Sequence, residues 1–367
     1  MADPRVEGMA RILVDYSVNV QPGEFVQVSG SPEGKPLLLA VYRRVIERGG
    51  HPWLRVGFDE AAEILFKYAS DEQLDYVPNI IKQAVEEIDA TINVWTEVNT
   101  KALTNVAPAK QARRGRAQRP VSERFLERAA NKELKWTGTA YPTNAFAQDA
   151  EMSLGEFEDF VYGAALLHEP DPIAAWRALS RDQQKLIEWL KGKDQVRLLG
   201  PDTDLTLSIK GREWVNCDGH ENFPDGEIFT GPIEDSVNGY VRFSYPACEG
   251  GREVEDVRLW FEDGKVVKAT AAKNEEYLLT MLDTDEGSRY LGEFAFGTNR
   301  GVQHFTKNIL FDEKIGGTVH MALGTGYPET GSTNRSAIHW DMICDLRQGG
   351  EVWVDGQIFA RDGEFQI

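Results

Sequence analysis

A period-two pattern near the C-terminus constrains the fold of this chain most strongly. Residues 336–345 read SAIHWDMICD. From residue 338 onward, one parity class is entirely apolar and consists of Ile338, Trp340, Met342 and Cys344. The other class contains His339 and Asp341. Successive side chains of a strand point to opposite faces, so the pattern predicts a strand with one buried face and a His-x-Asp pair on the other.

The N-terminal half has a different texture. Residues 24–58 read as an apolar strand, a Gly/Pro/Ser turn, a helix ending at Gly49-Gly50 and a second strand, HPWLRVGF. This order predicts a β-α-β unit with parallel pairing. Helices are predicted over 73–92 and 121–133, and two more within 155–192, separated by HEPDP.

From about Val196 onward, short alternating segments are punctuated by Gly, Asp and Asn. Asp263-Gly264 between two alternating runs predicts a β-hairpin, and 273–290 reads as one amphipathic helix. The sequence therefore predicts an α/β protein of two domains. Residues 1–190 would form an N-terminal α/β domain with β-α-β units, and residues 191–367 a strand-rich α+β catalytic domain.

Composition narrows the classes of function. The formal charge of −19 makes nucleic-acid binding unfavourable, although residues 110–119 (KQARRGRAQR) are locally basic. No apolar run approaches the ~20 residues that span a bilayer, and the first residues do not resemble a signal peptide. The three cysteines have no CxxC spacing, which is typical of a reducing compartment. We expect a cytoplasmic protein that binds neither nucleic acid nor membrane.

Further polar residues stand on short strands of the second half. His320 alternates with Val319 and Met321, while Glu227 and Glu293 interrupt apolar, strand-like runs. For each of the two glutamates alone, a place on an edge strand or a hydrogen bond to the backbone explains the residue as well as metal binding does. Together with His339 and Asp341 they form a plausible ligand set for Zn, Co or Mn, and carboxylates can bridge two such ions. Spacing alone leaves a structural role equally open.

Longer motifs resemble a known family. GEIFTGP, LGEFAFGTN, FDEKIGGTVHMALGTGYPE and NRSAIHWDMI, in this order, resemble the aminopeptidase T group of metallopeptidases, and the similarity extends over nearly the whole chain. The resemblance implies two divalent ions, a peptide substrate and a homodimer. It also implies a catalytic tyrosine and a set of metal ligands, namely Tyr327 and then Glu227, Glu293, His320, His339 and Asp341. Whether Glu293 bridges the ions or accepts a proton from water stays open.

Two alternatives to an aminopeptidase are compatible with the same residues. A dinuclear metallohydrolase of another substrate, such as a phosphoester, would share the ligand chemistry but would usually add basic residues for phosphate charge. Arg335 in NRSAIHWDMI is thin support for such a substrate. A non-catalytic dimeric scaffold could keep the fold, but the retention of every ligand position and of Tyr327 argues against it.

Overall fold

A computed structural model describes residues 3–249 and 251–367 of the chain. The helices are α1 Pro4–Ile12, α2 Lys35–Glu47, α3 Glu60–Tyr68, α4 Asp71–Asp75, α5 Asn79–Glu87, α6 Pro108–Ala130, α7 Asn144–Asp149, α8 Leu154–Ala164, α9 Pro172–Leu190, α10 Glu275–Leu282 and α11 Ile309–Asp312. None of the helices in the described ranges combines the length and the apolar character that crossing a bilayer requires.

The strands are β1 Phe25–Gly30, β2 His51–Val56, β3 Ala90–Trp95, β4 Lys135–Ala140, β5 Gln195–Gly200, β6 Thr203–Ser208, β7 Val215–Cys217, β8 Asn222–Phe223, β9 Glu227–Thr230, β10 Asn238–Arg242, β11 Ala247–Glu249, β12 Arg252–Val254, β13 Arg258–Glu262, β14 Lys265–Thr270, β15 Leu291–Gly297, β16 Thr318–Gly324, β17 His339–Asp345, β18 Glu351–Val354, β19 Gln357–Arg361 and β20 Glu364–Phe365. The mixture of helices and strands confirms the predicted α/β class.

The chain divides into two compact units. The first comprises residues up to Ile173 together with Gly219–Pro224, and the second comprises Ala174–Asp218 and Asp225–Ile367. The first unit contains a parallel sheet in the order β2-β1-β3-β4-β8. The predicted β-α-β unit is confirmed, because β1 and β2 pair in parallel and α2 connects them.

Two of the helix predictions in the first unit are wrong in extent. The helix predicted over 73–92 is in fact α4 and α5, followed by strand β3 within the sheet. The helix predicted over 121–133 begins earlier, at Pro108, and accommodates Pro120 in its interior. The pair of helices predicted within 155–192 is confirmed as α8 and α9.

The second unit contains two large antiparallel sheets that share one core, and a two-stranded antiparallel sheet, β11-β12. The strand orders of the two large sheets are β14-β13-β10-β6-β5-β18-β19-β20 and β17-β16-β15-β9-β7. The Asp263-Gly264 hairpin between β13 and β14 is confirmed, with φ of 47° and 81° at these residues. The helix predicted over 273–290 is shorter and covers Glu275–Leu282. Apolar residues of both sheets, including Leu198, Leu259, Phe294 and Trp340, are buried in the common core.

The loop between β16 and β17, residues 325–338, is fixed by two carboxylates. Glu234 accepts hydrogen bonds from the backbone N–H of Thr333 at 2.6 Å and from Arg212 at 2.5 Å. Asp285 accepts bonds from the backbone N–H of Ala337 at 2.7 Å and from the Ser336 hydroxyl at 2.8 Å. Loops without such bonds are usually mobile, so these carboxylates give this loop a defined course.

We predict that Glu234→Gln lowers the free energy of unfolding by about 1–3 kcal/mol at pH 7, because charge-assisted bonds to Thr333 and Arg212 are lost. Burial opposes ionisation, but these bonds hold the pKa of Glu234 below its usual range. The stabilisation is therefore present above the unfolded-state pKa of about 4.3 and is lost as pH falls through the lower folded-state pKa.

Chemical unfolding at pH 7 and at pH 3.5 tests this prediction, with the exposed Glu262→Gln as control. The difference between wild type and Glu234→Gln should shrink at the lower pH, and the control should be unchanged at both. A difference that stays constant with pH would show that the carboxylate charge of Glu234 does not stabilise the loop.

Candidate metal centre

Three neighbouring strands of the five-stranded sheet place polar residues in one row. Glu293 on β15 pairs with Ala322 on β16, and Ala322 pairs with Asp341 on β17. Directly paired residues share a face of the sheet, so a methyl group separates the two carboxylate-bearing positions. His339 is two residues from Asp341 and His320 is two residues from Ala322, so both histidines share that face.

Small residues beside these positions leave room for the long side chains. Glu227, the first residue of β9, pairs with Gly297 on β15. His339 pairs with Gly324, whose φ of 103° is accessible to glycine and which lies so close to the Ile338 carbonyl that a Cβ would overlap it. The five polar residues Glu227, Glu293, His320, His339 and Asp341 therefore form a polar cleft on one face of the sheet, at buried and half-buried positions where apolar side chains usually pack.

The opposite face of the same strands is the core. Trp340, Met342 and Cys344 are buried in the apolar cluster, and Ile338 packs against it. Phe294 and Phe296 on β15 continue this face. The period-two prediction for residues 336–345 is therefore confirmed, and Cys344 belongs to the core rather than to the polar cleft.

The two histidines converge on one carboxylate. His320 Nε2 lies 3.3 Å from Glu293 Oε1, and His339 Nε2 lies 3.2 Å from Glu293 Oε2. On the outer sides, His320 Nε2 lies 3.1 Å from Glu227 Oε2, and His339 Nε2 lies 3.5 Å from Asp341 Oδ2. The structure thus gathers all five residues singled out from the sequence into two overlapping groups, each with donor atoms within 4.8 Å of one another.

A backbone carbonyl orients His339. Its Nδ1 lies 2.8 Å from the Thr325 oxygen, which can only accept, so Nδ1 carries the hydrogen and donates it. In the neutral ring the lone pair then resides on Nε2, which faces the carboxylates. This is the arrangement found for histidines that bind metal, where the second ring nitrogen is held by a neighbouring acceptor.

The donor set fits a divalent cation. Glu227 Oε2 and Asp341 Oδ1 are buried without a hydrogen-bond partner, which is costly for a carboxylate. Burial opposes charge on His339, but Asp341 and Glu293 raise its pKa to about 11. Burial likewise opposes ionisation of Glu293, but His320 and His339 lower its pKa to about 2. The cluster therefore favours positive charge at its centre, which divalent ions would supply.

Tyr327 lies beside this cluster on the loop that Glu234 and Asp285 fix. Its ring is 5.1 Å from the His339 ring, edge to face, and 5.1 Å from the Phe229 ring. Its side chain remains 39% exposed, so it can reach a bound molecule. Partial burial and then the carboxylate of Glu293 raise the pKa of Tyr327, so the phenol stays protonated and able to donate at neutral pH.

Three further residues of the cluster, Asp225, Glu313 and Lys314, were not identified from the sequence. A carboxylate oxygen of Glu313 lies within 4.8 Å of donor atoms of His320 and Asp341. The buried Lys314 places Nζ 2.5 Å from Glu227 Oε1, 2.5 Å from Glu313 Oε1 and 3.4 Å from Asp225 Oδ1. A DEK triplet normally indicates a solvated turn, and its one usable signal was its place six to eight residues before His320 in the same motif.

Comparison with known proteins identifies relatives over the full length. Residues 2–365 match the family described as thermophilic metalloprotease (M29). Aminopeptidase T of Thermus aquaticus is 32% identical, with 95% of this chain and 93% of that protein covered. Aminopeptidase 2 of Geobacillus stearothermophilus is 27% identical, with 99% and 95% covered. The structure of wild-type AmpT from Thermus thermophilus superposes with a TM-score of 0.87 at 25% identity, covering 99% of both chains.

We predict that His339→Ala and Asp341→Ala each weaken divalent-metal binding at least tenfold, because each removes a donor atom from the cluster. Metal content after dialysis against a limiting concentration of Zn²⁺ measures the effect. His51→Ala and His168→Ala, which change exposed histidines, serve as controls and should retain wild-type metal content. Wild-type metal content in His339→Ala and Asp341→Ala would show that the cluster is not the binding site, whereas equal loss of metal in all four variants would indicate general instability.

Proposed function

Because this chain belongs to the thermophilic metalloprotease (M29) family, we propose that its cluster of histidines and carboxylates binds two divalent ions and cleaves the N-terminal residue from peptides. The activity is that of a metal-dependent aminopeptidase. We propose, beyond this activity, that two ions are bound and that each residue has the role given below. The proposed ligands are Glu227, Glu293, His320, His339 and Asp341.

The position of Glu293 carries the proposal of two ions. Its two oxygens diverge, with Oε1 toward His320 and Oε2 toward His339. A carboxylate that offers one oxygen to each of two imidazoles is arranged to bridge two cations, which in dinuclear hydrolases lie about 3.5–4 Å apart. One ion would take Glu227 and His320 as its other ligands, and the second would take His339 and Asp341.

Charge balance supports divalent ions in this cluster. The cluster contains the carboxylates of Asp225, Glu227, Glu293, Glu313 and Asp341 and the ammonium of Lys314. Burial raises the pKa of Glu313 to about 8, so its charge is not counted. When both histidines are neutral ligands, the other four carboxylates still outnumber the one ammonium. Divalent ions would offset this buried excess of negative charge, which is expensive in a low-dielectric environment.

The ions would supply Lewis acidity, which acidifies water and polarises a carbonyl group. Mixed nitrogen and oxygen donors without thiolate suit Zn, Co or Mn. The protein's own contribution is to hold the donors in place and to move protons. Because both oxygens of Glu293 are directed at the histidines, we assign it to bridging and assign Glu313 to accepting the proton of the attacking water.

Tyr327 is placed to donate to the oxygen of the scissile carbonyl as negative charge develops there. Its hydroxyl is on an exposed side chain whose ring contacts the His339 ring, so it borders the cluster without being one of its ligands. A donor that acts on the developing oxyanion lowers the barrier more than it strengthens substrate binding.

The sequence resemblance also supports a homodimer and a peptide substrate, and the cysteine spacing supports a cytoplasmic location. We include all three in the proposal. The chain's formal charge of −19 disfavours nucleic acid as a partner.

We predict that Tyr327→Phe lowers kcat by about 10²–10³-fold, because one oxyanion donor is lost. Metal content should be unchanged, since the phenol is not a ligand, and KM should change little. Steady-state kinetics on an aminoacyl amide together with metal analysis tests both statements. A variant with wild-type kcat would remove Tyr327 from the chemistry, and one with less metal would make it structural.

We predict that cleavage requires a free α-amine. A neutral amine offers a lone pair to a metal ion, and a protonated amine can bind a carboxylate, whereas an acetylated nitrogen offers neither. Losing such a contact should lower kcat/KM at least tenfold to a hundredfold, equivalent to about 1.5–3 kcal/mol.

The direct test compares Leu-Gly-Gly with N-acetyl-Leu-Gly-Gly under identical metal loading, and follows the products of a longer peptide by mass spectrometry. Stepwise loss of N-terminal residues from the free peptide alone is the expected result. Comparable rates for the two tripeptides, or internal cleavage of the longer peptide, would contradict an aminopeptidase.

A further inference from the structure

Lys314 is a buried cation surrounded by anions. Its side chain is 1% exposed, and its Nζ lies 2.5 Å from Glu227 Oε1, 2.5 Å from Glu313 Oε1 and 3.4 Å from Asp225 Oδ1. Lysine is almost never fully buried unless it is paired, and here three carboxylates pair with it. Neither the five proposed ligands nor Tyr327 explains why a lysine occupies this position.

Two of the three anions around Lys314, namely Asp225 and Glu227, belong to a third group of potential metal ligands. Cys217, Asp225 and Glu227 each offer a donor atom, and these atoms lie within 4.8 Å of one another. Glu227 belongs both to this group and to the group with Glu293 and His320. Since Lys314 Nζ contacts Asp225 and Glu227, the ammonium is positioned where a cation held by this third group would lie.

The frame of this third group does not depend on the side chain of Lys314. Gln183 on α9 donates through Nε2 to the carbonyl oxygens of Cys217 at 3.0 Å and of Glu227 at 2.8 Å. Asn299 donates through Nδ2 to the Asp225 carbonyl at 2.7 Å, and the N–H of Gly226 bonds to the Cys217 carbonyl at 3.2 Å. The backbone that presents the three donor side chains is therefore fixed by bonds in which Lys314 takes no part.

We propose that the ammonium of Lys314 substitutes for a third metal ion in the Cys217–Asp225–Glu227 group and thereby positions Glu227 for the metal centre. This inference rests on the proposed dinuclear site. The ammonium engages Glu227 through Oε1, and Oε2, which has no hydrogen-bond partner, faces His320 Nε2 at 3.1 Å. Lys314 thus leaves one defined oxygen of Glu227 available to a metal ion.

A tethered ammonium has two consequences that a free ion lacks. It is present in every molecule at every metal concentration, so the orientation of Glu227 does not depend on the metal supply. The ammonium also prevents a metal ion from binding between Cys217, Asp225 and Glu227. With its thiol, that group would favour soft metal ions, and an ion bound there would compete with the metal centre for Glu227. Lys314 is a positioning residue in this account, because it contacts a ligand and not the substrate.

The test uses cobalt binding to the full-length protein, with Co²⁺ counted per chain and the near-ultraviolet spectrum recorded for a thiolate-to-cobalt band. Wild type should bind cobalt without such a band. Lys314→Ala should bind an additional Co²⁺ and show the band, because the vacated group can then use the Cys217 thiolate. The double variant Lys314→Ala/Cys217→Ser should lack the band.

Lys314→Ala should bind the two ions of the metal centre about 10–100-fold more weakly than wild type, because the ammonium that orients Glu227 is gone. Lys273→Ala is the matched control, since it removes a lysine that pairs with two carboxylates, Glu253 at 3.3 Å and Glu255 at 2.6 Å, without contact to the centre. The control should match wild type in cobalt count, spectrum and affinity.

Lys314→Ala with the wild-type cobalt count and no band would overturn the inference. If this variant is unfolded without metal, added Co²⁺ should restore its circular dichroism, and failure to do so would also overturn the inference, because a metal ion then cannot replace the ammonium. Failure of the proposed function is recognised separately, by a wild-type protein that does not bind two ions.

Discussion

Repulsion among buried carboxylates is the constraint on which the second unit depends. Glu227, Glu293 and Asp341 lie on one face of a sheet, and their carboxylate oxygens lie 3.1–3.5 Å from the Nε2 atoms of His320 and His339. Such a group is stable only if positive charge enters it. Burying these carboxylates together costs free energy in every molecule. Metal binding accounts for that cost, since the chain belongs to a metalloprotease family.

The sheet meets this constraint by dividing its two faces. The face that holds Phe294 and Trp340 is packed into the core, which keeps the strands in register despite the charge on the other side. On the polar face, Ala322 and Gly297 occupy pairing positions beside the charged residues and give them space. The ligand side chains are therefore positioned by paired strands, which hold them more rigidly than a loop would.

Much of this arrangement follows from the sequence, because strand periodicity encodes which side chains share a face. Parity alone predicted that His339 and Asp341 lie together opposite an apolar face. Parity could not reveal Glu313 and Lys314, which follow a short helix and reach the cluster only through tertiary packing. The helix predicted over 73–92 extended into strand β3, which begins at Ala90. Apolar residues continue at helical spacing up to Ile88, so the sequence does not mark the end of α5 at Glu87.

Whether two ions share Glu293 is tested most directly by anomalous X-ray scattering from crystals of the zinc-loaded protein, recorded on both sides of the zinc absorption edge. We expect two peaks in the second unit. One lies among Glu227, Glu293 and His320, the other lies among Glu293, His339 and Asp341, and both contact Glu293. A single peak, or two peaks that do not share Glu293, would contradict a carboxylate-bridged pair of ions.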